Sequence, residues 1–139
     1  MRIRTLLNKC HYLKSFVYES ECLKSVKGQD SVVISVRPRL NSSPICSGCH
    51  KKCGTYDHLN ERLFEFIPIW GFTVFLCYAM RRVNCKSCGI KVEKVPWADG
   101  KNHLTRAYQL FLARWAKCLS WKEVAVAFKT SWDNVFRSV

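Results

Sequence analysis

Cys46-Ser47-Gly48-Cys49-His50 and Cys85-Lys86-Ser87-Cys88-Gly89 each contain a C-x-x-C pair, and residues 50–84 separate the two pairs. Two thiolates three positions apart in a tight turn supply one edge of a tetrahedron, and Zn2+ takes four such ligands in a closed structural site. A single pair is shared with dithiol redox motifs; two pairs in one short chain point to metal. Cysteines buried merely as small apolar residues have no reason to fall at matched spacing. Gly89, directly after the second pair, suits a φ > 0 position that aims backbone N–H groups at sulfur. The first pair has His50 there and carries its glycine, Gly48, inside the loop. The reading is one structural zinc held by Cys46, Cys49, Cys85 and Cys88, with His50 and Cys53 as the nearest alternative ligands. Cys10, Cys22, Cys77 and Cys118 have no partner at ligand spacing, and His11, His58 and His103 stand alone.

The stretch between the pairs reads as a hairpin. Arg62-Leu63-Phe64-Glu65-Phe66-Ile67 runs out, and Pro68-Ile69-Trp70-Gly71 supplies turn chemistry. Phe72 to Arg82 returns, with Phe72, Val74, Leu76, Tyr78 and Met80 alternating on one face and Cys77 expected in a core. That strand delivers Cys85 directly, as in a zinc ribbon. Lys91 to Val95 reads as a short strand stopped by Pro96. Upstream, Phe16 to Val26 and Ser31 to Arg37 form a second expected hairpin around Lys27-Gly28-Gln29-Asp30. Residues 1–14 show a weak helical stripe of Leu6, Leu7, Cys10 and Leu13. Asn41-Ser42-Ser43-Pro44 links the hairpin to the first pair.

From His103 the period becomes helical: Leu104, Ala107, Tyr108, Phe111, Leu112, Trp115 and Leu119 recur at three and four. Ser120-Trp121-Lys122-Glu123 matches a capping box that opens a short helix with Val124, Ala125 and Phe128 inward. Thr130 or Ser131 caps another from Trp132, with Val135 and Val139 inward. Long helix, short helix, tight turn, helix is the outline of a helix-turn-helix, with Lys129 where many such turns use glycine. The expected fold is therefore α+β: β-hairpins forming a zinc ribbon, followed by a small three-helix helix-turn-helix. The expected divisions are residues 1–40, an extension with a hairpin; 41–100, the ribbon; and 101–139, the helical unit with its third helix cut short.

Composition narrows the function. Of 139 residues, 48% are hydrophobic, enough for a core. No apolar run approaches the length of a membrane span. The N-terminus starts like a signal peptide but is interrupted by Asn8, Lys9 and His11. A cytoplasmic setting, where thiols stay reduced, is expected. Net charge is +13, from 23 Lys+Arg against 10 Asp+Glu. Such an excess points to a polyanion, nucleic acid before membrane. It is shared by both halves, since residues 101–139 carry seven Lys+Arg against two Asp+Glu.

These residues resemble the N-terminal part of bacterial insertion-sequence transposases of the ISL-three type. The resemblance runs from about residue 15 onward. It rests on Cys46-x-x-Cys49, on Arg81-Arg82-Val83-x-Cys85-x-x-Cys88-Gly89, on Glu93-Lys94-Val95-Pro96-Trp97-Ala98, and on Ser131-Trp132-x-x-Val135. It implies a zinc ribbon and helix-turn-helix that bind the terminal inverted repeats of an element, ahead of a catalytic domain bearing a carboxylate triad. This sequence stops at Val139, so the expectation is a DNA-binding fragment that does no chemistry, with double-stranded DNA and an intact transposase or itself as partners and no small-molecule substrate. In a helix-turn-helix the start of the second short helix enters the major groove. That selects Trp132, Asp133, Asn134 and Arg137 for bases and Thr130 and Ser131 for phosphate. Arg81, Arg82, Lys86, Lys91 and Lys94 around the second pair are candidates for backbone contact. A protein-interaction module and a dithiol redox protein are the alternatives.

Overall fold

The computed structural model describes all residues from Met1 to Val139. Helix α1 (Ile3–Cys10) precedes strands β1 (Phe16–Val26), β2 (Gln29–Pro38), β3 (Gly54–Ile69), β4 (Phe72–Cys85) and β5 (Gly89–Val92), and helices α2 (Arg106–Trp115), α3 (Trp121–Ala127) and α4 (Trp132–Ser138) follow. The class is α+β, with one mixed five-stranded sheet in the order β1-β2-β4-β3. β4 is its spine. One edge of β4 pairs antiparallel with β3 from Asn84 to Phe72. The other edge is shared: β2 runs parallel beside Thr73–Cys77, and β5 lies antiparallel beside Arg82–Cys85. The N-terminal hairpin and the cysteine-bearing strands thus belong to the same sheet.

Period-two patterning explains the joint. Val74, Leu76, Tyr78 and Met80 point to one face of β4, and Phe64 and Phe66 of β3, Val32, Ile34 and Val36 of β2, and Phe16 and Tyr18 of β1 join them in one core. Leu7 and Leu13 cover it from the N-terminal segment. Trp97, 1% exposed, closes it from the chain after β5. Phe16, Tyr78 and Phe64 meet its indole edge-on with ring centroids 4.9, 5.2 and 5.7 Å away. Such pairs add about 0.5–1.5 kcal/mol each beyond the buried area. Of the expected α1 stripe only Leu7 is buried within the helix; Leu6 and Cys10 are exposed. Phe72 also turns out of the expected β4 face into partial exposure.

Both hairpins close on two-residue turns with φ > 0 at each centre: Lys27 and Gly28, then Trp70 and Gly71. This is the twist that suits antiparallel strands. The second turn is tighter than Pro68–Gly71; Pro68 instead sits within β3 at a register shift between Phe66 and Ile69, where a missing N–H is tolerated. β3 starts eight residues before the expected Arg62, because its polar half, Gly54–Glu61, is held by pairing with β4 rather than by burial.

The helices pack around Leu104, Tyr108, Leu112, Val124, Ala125 and Val135. Thr105 caps α2, Ser131 caps α4, and Ser120 with Glu123 forms the reciprocal capping box of α3. Residues 128–131 join α3 to α4, and Lys129 takes φ +54° in the place where glycine is easiest. Trp115, Leu119 and Val139 lie outside the core, at 43%, 37% and 66% exposure. The unit is fastened to the sheet at β3: Glu65 donates its N–H to His103 O at 2.7 Å and accepts from Thr105 N at 2.9 Å. Ile67 touches both cores. No helix is long and apolar enough to cross a membrane.

Candidate metal centre

β4 carries Cys85 at its end, and the tight turn to β5 returns Cys88 beside it. The first pair is brought over the second by backbone pairing of Cys46 with Glu93 and by a 2.8 Å hydrogen bond from Lys94 N to Ile45 O. The Sγ atoms of Cys46, Cys49, Cys85 and Cys88 all lie within 4.8 Å of one another, and Cys49 and Cys85 are 3.5 Å apart. Zn–S bonds of about 2.3 Å place the corners of a tetrahedron roughly 3.8 Å apart. The four thiols therefore fit a single metal ion.

The two knuckles repeat each other. His50 has φ +62° and Gly89 φ +79°, so the residue after each pair is left-handed whether or not it is glycine. Gly48 serves closeness rather than turning: a Cβ there would stand 2.9 Å from Cys88 Sγ. Its N–H points at Cys46 Sγ from 3.4 Å. Backbone N–H groups lower the Cys46 thiol, that of Cys49 most, and those of Cys88 and Ser87 draw Cys85 down to about 6. Burial pushes Cys88 up to about 12 and Cys53 up to about 11. Cys53 is outside the four-thiol set, packed beside it with its Sγ 3.5 Å from Lys51 O, and His50 is exposed.

Behind the first knuckle lies a buried ion pair that the sequence did not reveal. Glu93, 3% exposed, faces Arg81, 6% exposed. Arg81 reaches it with Nη2 at 2.9 Å, with Nε at 3.1 Å and with its own backbone N–H at 2.9 Å. The Tyr78 hydroxyl also donates to Glu93. Burial raises the Tyr78 pKa, and the carboxylate raises it further, so the hydroxyl keeps its proton. This corrects the assignment of Arg81 to DNA: its guanidinium is enclosed and fully engaged. Cys77, expected in the core, is likewise only half-buried on the opposite face, with its thiol toward Glu61.

The other candidates divide. Arg82 is half-exposed, lies over the Tyr56 ring and chelates Asp57, whose pKa that contact lowers. Lys86, Lys91 and Lys94 are exposed and enter no ion pair, and the same holds for Lys51 and Lys52 just after the first pair. On α4, Trp132, Asp133 and Arg137 face solvent. Ser131 accepts the Asn134 N–H at 3.1 Å as cap. Asn134 turns inward, donating its amide to Thr130 Oγ1 at 2.9 Å and toward Glu65 at 3.4 Å, so it is not free to pair with adenine. Trp132 stacks on Phe136 at 5.3 Å with an interplanar angle of 7°. Beside the start of α4 is a cleft of about 370 Å³ whose walls include Lys27, His103, Lys129, Thr130, Arg137 and Glu65. Burial lowers the pKa of His103 most, and the cations Lys27, Arg62 and Arg137 lower it further.

Comparison with protein-family models, with curated proteins and with solved structures gives no match to this chain.

Proposed function

We propose that this chain is a zinc-dependent DNA-binding unit of the kind that precedes the catalytic domain in ISL-three type transposases, acting in the cytoplasm on the terminal inverted repeats of an element. The observation that carries the reading is the arrangement of α3 and α4. They close on Val124, Ala125 and Val135 across residues 128–131, and the outward side of α4 presents Trp132, Asp133 and Arg137 to solvent. In a helix-turn-helix that side enters the major groove. Arg137 then reads guanine, with Thr130 and Ser131 toward phosphate. Lys86 and Lys91, exposed beside the cysteines, and the half-free Arg82 add contacts to the backbone. The metal is one structural zinc, because four thiolates suit a tetrahedral ion and leave no position for water or substrate.

The unit does no chemistry of its own. Four of its carboxylates are each taken up singly: Glu93 by Arg81, Asp57 by Arg82, Glu21 by Arg4 and Glu123 by its helix cap. A two-metal site needs carboxylates gathered around ions about 3.5–4 Å apart. Fluorescence anisotropy on an element-end duplex against a scrambled duplex tests the reading. Affinity should favour the element end and fall steeply with salt. Equal binding to both duplexes would remove sequence recognition. One observation favours a second reading, docking onto an intact transposase: Trp121 of α3 packs with Trp132 and Phe136 of α4, and the latter two are half-exposed. Salt-insensitive association with that protein and no DNA shift would select it.

A further inference from the structure

We infer that the metal end is a second phosphate-contacting site set about one duplex turn from α4, so that the chain grips DNA in two patches along one side. The inference rests on the DNA-binding reading and deepens it. The knuckles draw together lysines that are scattered in sequence. Lys51 and Lys52 follow the first pair, Lys86 lies inside the second, Lys91 lies on β5, and Lys94 is tied to Ile45 through its backbone. All five are exposed and unpaired. Four thiolates on a divalent ion carry −2, and the nearby Asp57 is matched by Arg82. Five lysines exceed that charge, so the end stays cationic with its metal in place.

The second patch is at the far end of the same strand. Lys129 Nζ binds Gly71 O at 3.0 Å, which fixes the α3–α4 connection to the β3–β4 turn. Lys27 and Arg137 line the adjoining cleft, with Glu65 and Asp133 as its acidic members. Between the ends β4 runs 14 residues, from Phe72 to Cys85. At about 3.3 Å per residue this is roughly 40 Å. A duplex presents the same face every 34–36 Å or so. The middle of the sheet offers little net charge, since Arg4 pairs with Glu21 and Arg37 with Glu19. A strand braced on both edges holds the spacing, so the two patches act as a ruler of about one duplex turn, roughly 10–12 base pairs.

Hydroxyl-radical footprinting on the zinc-loaded full chain, with an element-end duplex, tests this. The expected result is two protected patches centred about one turn, roughly 10–12 base pairs, apart. The variant Lys51→Ala/Lys86→Ala/Lys91→Ala should keep its zinc, lose one patch and keep the other. Losing roughly three phosphate contacts should also flatten the salt dependence, so that between 50 and 200 mM salt the parent loses about 40-fold more affinity than the variant. Lys27→Ala/Arg137→Ala should trim the opposite patch. A single patch shorter than one turn, or a triple lysine variant with unchanged footprint and salt dependence, overturns the ruler and leaves DNA binding standing. No protection and no salt-dependent binding by the parent overturns both.

Discussion

At one end of β4, Cys85 sits among four thiols in front of a buried ion pair; at the other, Phe72 leaves a two-residue turn against which the helices are packed. The cluster at the cysteine end has three buried residues, Cys46, Val83 and Cys85. The helical end has six, all apolar or aromatic. Burial of three small side chains does not offset the entropy of ordering two knuckles, at about 1–2 kcal/mol per backbone residue. On the proposed zinc reading the cysteine end depends on the ion it would hold, and the helical end on ordinary packing. Ionic chemistry and apolar area hold opposite ends of one sheet, and each end should fail under conditions the other survives.

Metal removal gives the largest expected effect. Structural zinc supplies about 10–16 kcal/mol of apparent binding free energy, and in such sites that is folding free energy. Chelation, or Cys85→Ser, should abolish hydrogen-exchange protection across both knuckles and β5 while α2 to α4 keep theirs. Cys118→Ser should retain one zinc per chain by metal analysis. Loss of protection at both ends together would break the contrast, and purified reduced protein without zinc would end the metal reading.

Next is the ion pair. Arg81→Ala leaves the Glu93 carboxylate enclosed without its partner, which costs about 3–5 kcal/mol. The paired replacement Arg81→Met/Glu93→Leu should cost far less, because it leaves no lone charge. Denaturant unfolding of the zinc-loaded proteins measures both. Equal losses would mean that the pair matters through shape, not charge. Gly48→Ala belongs with these: its Cβ would crowd Cys88 Sγ, so zinc should dissociate faster without any change in the helices.

How far the sequence revealed this depends on the kind of signal. The clustering of the four cysteines was legible because their spacing encodes it directly, and the capping box because its partners are three residues apart. Gly54–Glu61 was not legible as strand, since neither face of that half is deeply buried and only pairing with Ala79–Asn84 holds it. The parallel contact of β2 with β4 was also hidden: no local pattern says which strand lies beside which. Glu93 looked like one charge in a polar stretch, because its partner is 12 residues away across a strand pair. Helical position alone puts Asn134 on the recognition side; that its amide turns to Thr130 and Glu65 is a tertiary fact.

A core substitution at the helical end mirrors the metal experiment. Leu112 is fully enclosed among Leu104, Tyr108 and Val135. Leu112→Ala should cost about 2–5 kcal/mol through lost burial and a cavity. Exchange protection should fall in α2 to α4 while zinc content stays at one per chain. Zinc loss in this variant would show that the two ends are coupled through β3 more tightly than their separate cores suggest.

The smallest effect sharpens the contrast by pH. Ser120 accepts the Glu123 N–H at 3.2 Å, and Glu123 accepts the Ser120 N–H at 2.8 Å. Ser120→Ala should cost about 1 kcal/mol, the usual worth of such a cap. The Ser120 backbone N–H, ahead of its hydroxyl, holds the Glu123 carboxyl below its ordinary value. A carboxyl lowered by folding stabilises only while ionised. Its contribution is complete above the unfolded pKa, about 4.3, and is lost as pH falls through the lower folded value. Glu123→Gln should therefore open α3 more readily than the parent at pH 7, and the difference should shrink as pH falls through the folded value. Amide exchange or NMR signals within α3 read this locally. The local reading matters because acid also releases the metal, by protonating thiolates, and the far end then loosens for its own reason. If the α3 difference between parent and Glu123→Gln stays constant from pH 7 to 3, the carboxylate is not what holds this cap, and the acid response of the helical end must come from elsewhere in the chain.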